Sequence, residues 1–112
     1  MDGAQQGTGR GRFLVLEGID GCGKSTQAQR LFETLEERAA AAGRSGPVHL
    51  REPGSTALGE RLRELLLDGE AEIGAAGEVL LFAAARRQLL SERVAPALTE
   101  GRDVVCERFH PH

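Results

Sequence analysis

A change of hydrophobic period across eight residues constrains this chain more than any other feature. Phe13-Leu14-Val15-Leu16-Glu17 is a short continuous apolar run with an acidic end, the pattern of a strand buried on both faces. From Ser25 onward Ala28, Leu31, Leu35, Ala39 and Ala42 recur at helical spacing, with Glu33, Glu36, Glu37 and Arg38 on the other faces. Between the two lies Gly18-Ile19-Asp20-Gly21-Cys22-Gly23-Lys24-Ser25, which fits G-x-x-x-x-G-K-[ST]. Glycines let a backbone turn so tightly that successive N–H groups converge on phosphate oxygens. The helix that follows presents its positive end to the same anion. Gly18 to Thr26 is therefore expected to cradle nucleotide phosphates through the backbone of Ile19, Asp20, Gly21, Cys22 and Gly23. Lys24 would reach the β- and γ-phosphates, and the Ser25 hydroxyl would ligate Mg²⁺. The rival is a glycine-rich turn with an incidental lysine. Lys24 is the single lysine among 14 basic residues.

The rest of the chain alternates in the same way. Gly43 is a plausible helix stop, and Val48-His49-Leu50-Arg51 follows the Gly46-Pro47 turn as a second strand. Leu58, Leu62, Leu65 and Leu66 mark a second helix ending near Asp68-Gly69. Residues 69–77 read as a loop. Glu78 to Leu90 reads as a third helix with Leu81, Ala85 and Leu89 on one face, resuming through Val94 and Leu98 with Pro96 as a cap or kink. Asp103-Val104-Val105-Cys106-Glu107, after Gly101, is a third buried strand. Strands alternating with helices predict an α/β fold with a parallel sheet. Residues 1–12 are Gly-, Gln- and Arg-rich and read as a flexible leader, leaving 13–112 as the folded part.

Composition then excludes classes. A net charge of −3 argues against a nucleic-acid binder, which wants a basic face. The longest apolar run, Val79 to Ala85, is far short of the ~20 residues that span a bilayer. With no apolar stretch near its start the chain is expected to be cytoplasmic. Cys22 and Cys106 make no disulfide framework, and His49, His110 and His112 show no metal-like spacing with them. Cys106 reads as a small buried hydrophobe. Glu17 and Glu107 end parallel strands at the edge where open α/β sheets gather ligands.

Four blocks in one order narrow the chemistry: FLVLEGIDGCGKSTQ (13–27), REPGSTALGERLRELLL (51–67), EVLLFAAARRQLL (78–90) and VAPALTEGRDVVCERF (94–109). Together they resemble the thymidylate kinase family, from about Phe13 to the end. The resemblance implies a phosphate-loop nucleoside monophosphate kinase sheet with flanking helices. It implies transfer of the γ-phosphoryl of ATP to dTMP, giving dTDP, with Mg²⁺, in nucleotide biosynthesis. It carries roles over residue by residue. Lys24 and Ser25 take the donor phosphates and Mg²⁺, and Asp20 lies near the acceptor's sugar and phosphate. Glu52, Pro53 and Arg63 line the acceptor pocket. Phe82 stacks on thymine and Arg86 hydrogen-bonds the base. Arg108 holds the acceptor phosphate, with Glu107 on the Mg²⁺ side. Read without the resemblance, Phe82 is a core side chain and Arg86 a surface arginine beside Arg87. Arg63 then pairs with Glu60 or Glu64, and Asp20 favours a turn.

Three departures stand out. Glu107-Arg108 replaces the common Asp-Arg, one methylene longer. Gly54-Ser55-Thr56 replaces Gly-Gly-Thr, putting a Cβ where positive φ is disfavoured. Gly21 stands where some members carry an arginine, which matches the type that supplies it from a lid. Such relatives run to about twice this length with a five-stranded sheet, and are commonly homodimers, a form open to this chain. About three strands are encoded here, so the chain reads as an N-terminal portion with negligible activity by itself. A non-catalytic nucleotide-binding remnant and a related kinase with another acceptor remain the alternatives.

Overall fold

A computed structural model describes residues 11–18, 24–68 and 72–109. The elements are β1 (Phe13–Gly18), α1 (Lys24–Ala41), β2 (Val48–Glu52), α2 (Ala57–Arg63), α3 (Ala75–Leu89), α4 (Ala95–Thr99) and β3 (Val104–Phe109). Among the described residues three strands form one parallel sheet in the order β1-β3-β2, so β3 is central. The α/β expectation holds. The strand and the helix that flank the glycine-rich motif are both present, as β1 and α1. Ile19 to Gly23 lie outside the described residues, as do positions 1–10, His110 and His112.

Side-chain alternation along β3 divides the core. Val105 faces α1 and packs with Ala28 and Leu35, against Leu14, Leu16 and Leu31. Val104 and Cys106 face the other way, packing with Leu50, Leu89, Val94 and Ala97 from the α3–α4 side. A third cluster, Leu62, Leu66 and Ala85 with Phe82 beside it, joins α2 to α3. Val104, Val105 and Cys106 are wholly buried, as a strand covered by helices on both faces must be. No helix among the described residues is long and apolar enough to cross a membrane.

Boundaries differ from the sequence reading in instructive places. Gly43 does stop α1: its φ is 69°, and the Arg44 N–H donates to the Ala39 carbonyl at 2.8 Å. Helix α3 begins at Ala75, not Glu78, taking in Ala75-Ala76-Gly77 from the expected loop, with Gly74 as its N-cap. The second helix reaches Asp68 as expected, but Glu64–Asp68 is a turn of wider i→i+5 bonding. A similar wide turn, Leu90–Val94, lets the chain pass from α3 into α4 with Pro96 in the first turn. The third strand runs Val104–Phe109, and Asp103 precedes it as an anchor. The Arg12 N–H donates to Asp103 Oδ1 at 2.8 Å, and the Val104 N–H to the Arg12 carbonyl at 2.8 Å. Arg12, which composition placed in the leader, is thus hydrogen-bonded to the sheet, and the Gly11 N–H donates to the Leu98 carbonyl of α4 at 3.0 Å.

Candidate active site

Parallel register places Glu17 of β1, Arg108 of β3 and Glu52 of β2 in one row at the carboxyl edge of the sheet. Arg108 is central and bonds both neighbours, with Nε 3.3 Å from Glu52 Oε1 and Nη1 3.5 Å from Glu17 Oε2. Glu52 is only 2% exposed, and a second arginine meets it: Arg86 Nε lies 2.5 Å from its Oε2. A buried carboxylate without such partners would be strongly destabilising, so the two arginines are a condition of Glu52 being there.

Arg86 comes from α3, one turn after Phe82, and the two line one cavity of about 560 Å³. Glu52, Arg108, Leu90 and Phe109 also line it. Apolar walls with a few converging charged groups are the usual make-up of a small-molecule site. Pro53 and Arg63 stand behind this wall. Arg63 Nη1 donates to the Pro53 carbonyl at 2.8 Å, and its guanidinium lies 4.6 Å from the centroid of the Phe109 ring. Glu60, the rival partner for Arg63, is bonded by Arg51 at 2.6 Å. That hydrogen bond, with the Ser55 N–H, holds the Glu60 carboxyl below its ordinary range.

The loop between β2 and α2 carries the expected strain. Ser55 has φ 65°, in the left-handed region. Its hydroxyl accepts from the Arg51 N–H at 2.8 Å, and its carbonyl accepts from Arg93 Nη1 at 2.7 Å. A side chain at this position makes a contact that glycine could not.

On the opposite face of the sheet Glu107 follows Val105 by two residues and shares the α1 side. It is 8% exposed, and its Oε2 lies 2.6 Å from His49 Nε2. Lys24 and Ser25 open α1, and Thr26 after them is exposed. Among the described residues no three His, Cys, Asp or Glu side chains gather at a common metal position. Mg²⁺ does not need such a cage: it is commonly held by one or two carboxylates plus substrate phosphates and water. One enclosed carboxylate on the α1 face fits that demand. Cys106 is buried as expected, and burial, with Glu52 adding to it, pushes its thiol up to about 12.

The structure thus brings Glu52, Phe82, Arg86 and Arg108 to one cavity, keeps Pro53 and Arg63 as its support, and puts Glu107 on the other face. Phe109 escaped the sequence reading because it follows the charged pair and looks like the strand's end. His49 escaped it because strand register, which no single strand encodes, brings it to Glu107.

A parallel sheet with a strand and helix around a glycine-rich loop sequence, and an acid–arginine row at its carboxyl edge, is the fold of a phosphate-loop nucleoside monophosphate kinase. The sequence profile described as thymidylate kinase matches residues 16–111. The chain belongs to the thymidylate kinase family. It is 46% identical over 100 residues to the thymidylate kinase of Caldanaerobacter subterraneus subsp. tengcongensis, covering 89% of this chain and 46% of that protein. It is 50% identical over 103 residues to that of Ruegeria pomeroyi, covering 91% of this chain and 46% of the relative. The crystal structure of thymidylate kinase from Ehrlichia chaffeensis superposes with a TM-score of 0.75 at 37% identity, covering 89% of this chain and 54% of that one. The chain spans about half the length of the curated relatives it matches.

Proposed function

We propose that this chain supplies the donor-phosphate loop and the acceptor pocket for phosphoryl transfer from ATP to dTMP, giving dTDP. The observation that carries this reading is the convergence of Phe82, Arg86 and Arg108 on one cavity at the carboxyl edge of the sheet. An aromatic face, a base-reaching arginine and a phosphate-reaching arginine are what a flat nucleobase with a 5′-phosphate requires.

The acceptor is a phosphate monoester, already largely dianionic at neutral pH because its second pKa is ~6. No strong general base is needed. The difficulty is to bring two anions together and to neutralise charge as the phosphoryl group moves. Arg108 holds the acceptor phosphate, and Glu52 fixes Arg108 and Arg86 in place. Phe82 stacks on the base, and Arg86 hydrogen-bonds its edge. Phe109 forms part of the pocket's wall, with Pro53 and Arg63 supporting it from behind. Lys24, Asp20 and the backbone from Gly18 to Thr26 (Ile19, Gly21, Cys22 and Gly23 included) hold the donor phosphates and the acceptor beside them. Ser25 and Glu107 would hold Mg²⁺, which when bound supplies charge neutralisation between the donor phosphates. The protein works in the cytoplasm, alone or as a homodimer, without nucleic acid or membrane as partner.

The test is a substrate split in the natural gene product. Phe82→Ala and Arg86→Ala should raise the KM for dTMP about tenfold or more, given the usual worth of base stacking, and leave the KM for ATP nearly unchanged. Equal effects on both substrates would sink the assignment. A panel of nucleoside monophosphates decides the acceptor: preference for a base other than thymine would replace dTMP in this reading.

A further inference from the structure

Glu107 is one methylene longer than the aspartate common at this position, and the structure shows what receives the extra reach. His49 Nε2 stands 2.6 Å from Glu107 Oε2. In register His49 lies beside Val105, so its ring leans along the strand to the residue two further on. The imidazole is backed in turn by Phe32 of α1, with ring centroids 5.6 Å apart and planes at 29°. Phe32 lies about two turns after Ser25 on that helix. One helix therefore carries the end of the glycine-rich motif and also sets the back of the ring that grips Glu107. A carboxylate on a longer stem has more rotamers to lose, and a stacked imidazole removes that freedom.

We propose that His49 is a positioning residue: it holds the Glu107 carboxylate in one orientation toward the Mg²⁺–nucleotide, with Phe32 as its backstop. This rests on the reading of Glu107 as the carboxylate on the Mg²⁺ side. Partners of this kind commonly set both the orientation and the affinity of the carboxylate they hold. A shorter aspartate would withdraw from His49, so the histidine's contribution belongs to the glutamate.

The experiment uses Mn²⁺ as the probe, followed by electron paramagnetic resonance in the presence of ATP, alongside dTMP kinetics, on the natural gene product. His49→Leu should weaken Mn²⁺–ATP binding about tenfold, in the range that loss of such partners costs, and lower kcat while leaving the KM for dTMP in place. His49→Gln, which keeps a donor near the position of Nε2, should recover most of the loss. In a Glu107→Asp background His49→Leu should add little, because the pair is already broken. Unchanged Mn²⁺–ATP binding in a folded His49→Leu protein overturns the proposal. So does a loss that His49→Gln fails to restore and that adds fully to Glu107→Asp. A wild-type protein that binds Mn²⁺–ATP with this pattern but makes no dTDP supports the proposal and overturns the acceptor reading. One that binds no Mn²⁺–ATP overturns both.

Discussion

Ser55 shows how one residue can satisfy a position that glycine ordinarily fills. Its φ of 65° costs about 1–2 kcal/mol for a residue with a Cβ. The hydroxyl returns part of that by accepting from the Arg51 N–H, a bond worth about 1 kcal/mol net. Ser55→Ala keeps the strain and loses the bond, so urea unfolding should show a loss of about 1 kcal/mol. Ser55→Gly loses the bond, relieves the strain and adds freedom to the unfolded chain, so its stability should stay close to that of the parent. An alanine variant as stable as the serine parent would refute this account. The strain was legible in the sequence from the departure at Gly54-Ser55-Thr56. Its compensation was not, because the acceptor role of Oγ depends on a backbone N–H four residues upstream. Phe82 and Arg86 were legible as a pair from their spacing, whereas the Arg86 contact to Glu52 joins residues 34 apart in sequence.

At the scale of elements, the β2–α2 junction is closely packed. Thr56 caps α2, its Oγ1 accepting from the Gly59 N–H at 2.8 Å. A Cβ on Gly59 would stand 2.7 Å from the Gly54 carbonyl oxygen and 2.9 Å from Thr56 Oγ1. Gly59→Ala should therefore destabilise by about 1–3 kcal/mol, as overpacking does, although alanine is the better helix former by about 1 kcal/mol. Thermal unfolding decides the sign: a rise in Tm would mean that the helix propensity wins. Helix boundaries follow the sequence pattern where periodicity is strong and depart from it where it is weak. The start of α3 is not legible because Gly74 and Gly77 bracket two alanines and mimic a loop, while the Glu78 N–H donates to the Gly74 carbonyl at 3.0 Å and closes the first turn. The wide turns at Glu64–Asp68 and Leu90–Val94 have no periodic signature in the sequence.

For the molecule as a whole, alternation of strands and helices announced the parallel sheet, but strand order was not written in any one strand. All three are apolar runs, and only the assembled fold shows that the last is central. Its place has a dynamic consequence. Val104, Val105 and Cys106 are fully buried and bonded to a strand on each side. Amide hydrogen exchange should be slowest there, at the free energy of global unfolding, with β1 and β2 exchanging sooner. Faster exchange in β3 than in its neighbours would contradict the observed order. The same centrality puts Arg108 between two acids, Glu17 and Glu52, with Arg86 as the fourth member of the group. Two carboxylates and two guanidinium groups cancel within this group of four, on a chain whose formal charge is −3. The four together therefore add no net charge to the field that an arriving anion meets. What they offer it is directed N–H groups at contact, so their own share in its capture should depend on geometry far more than on ionic strength.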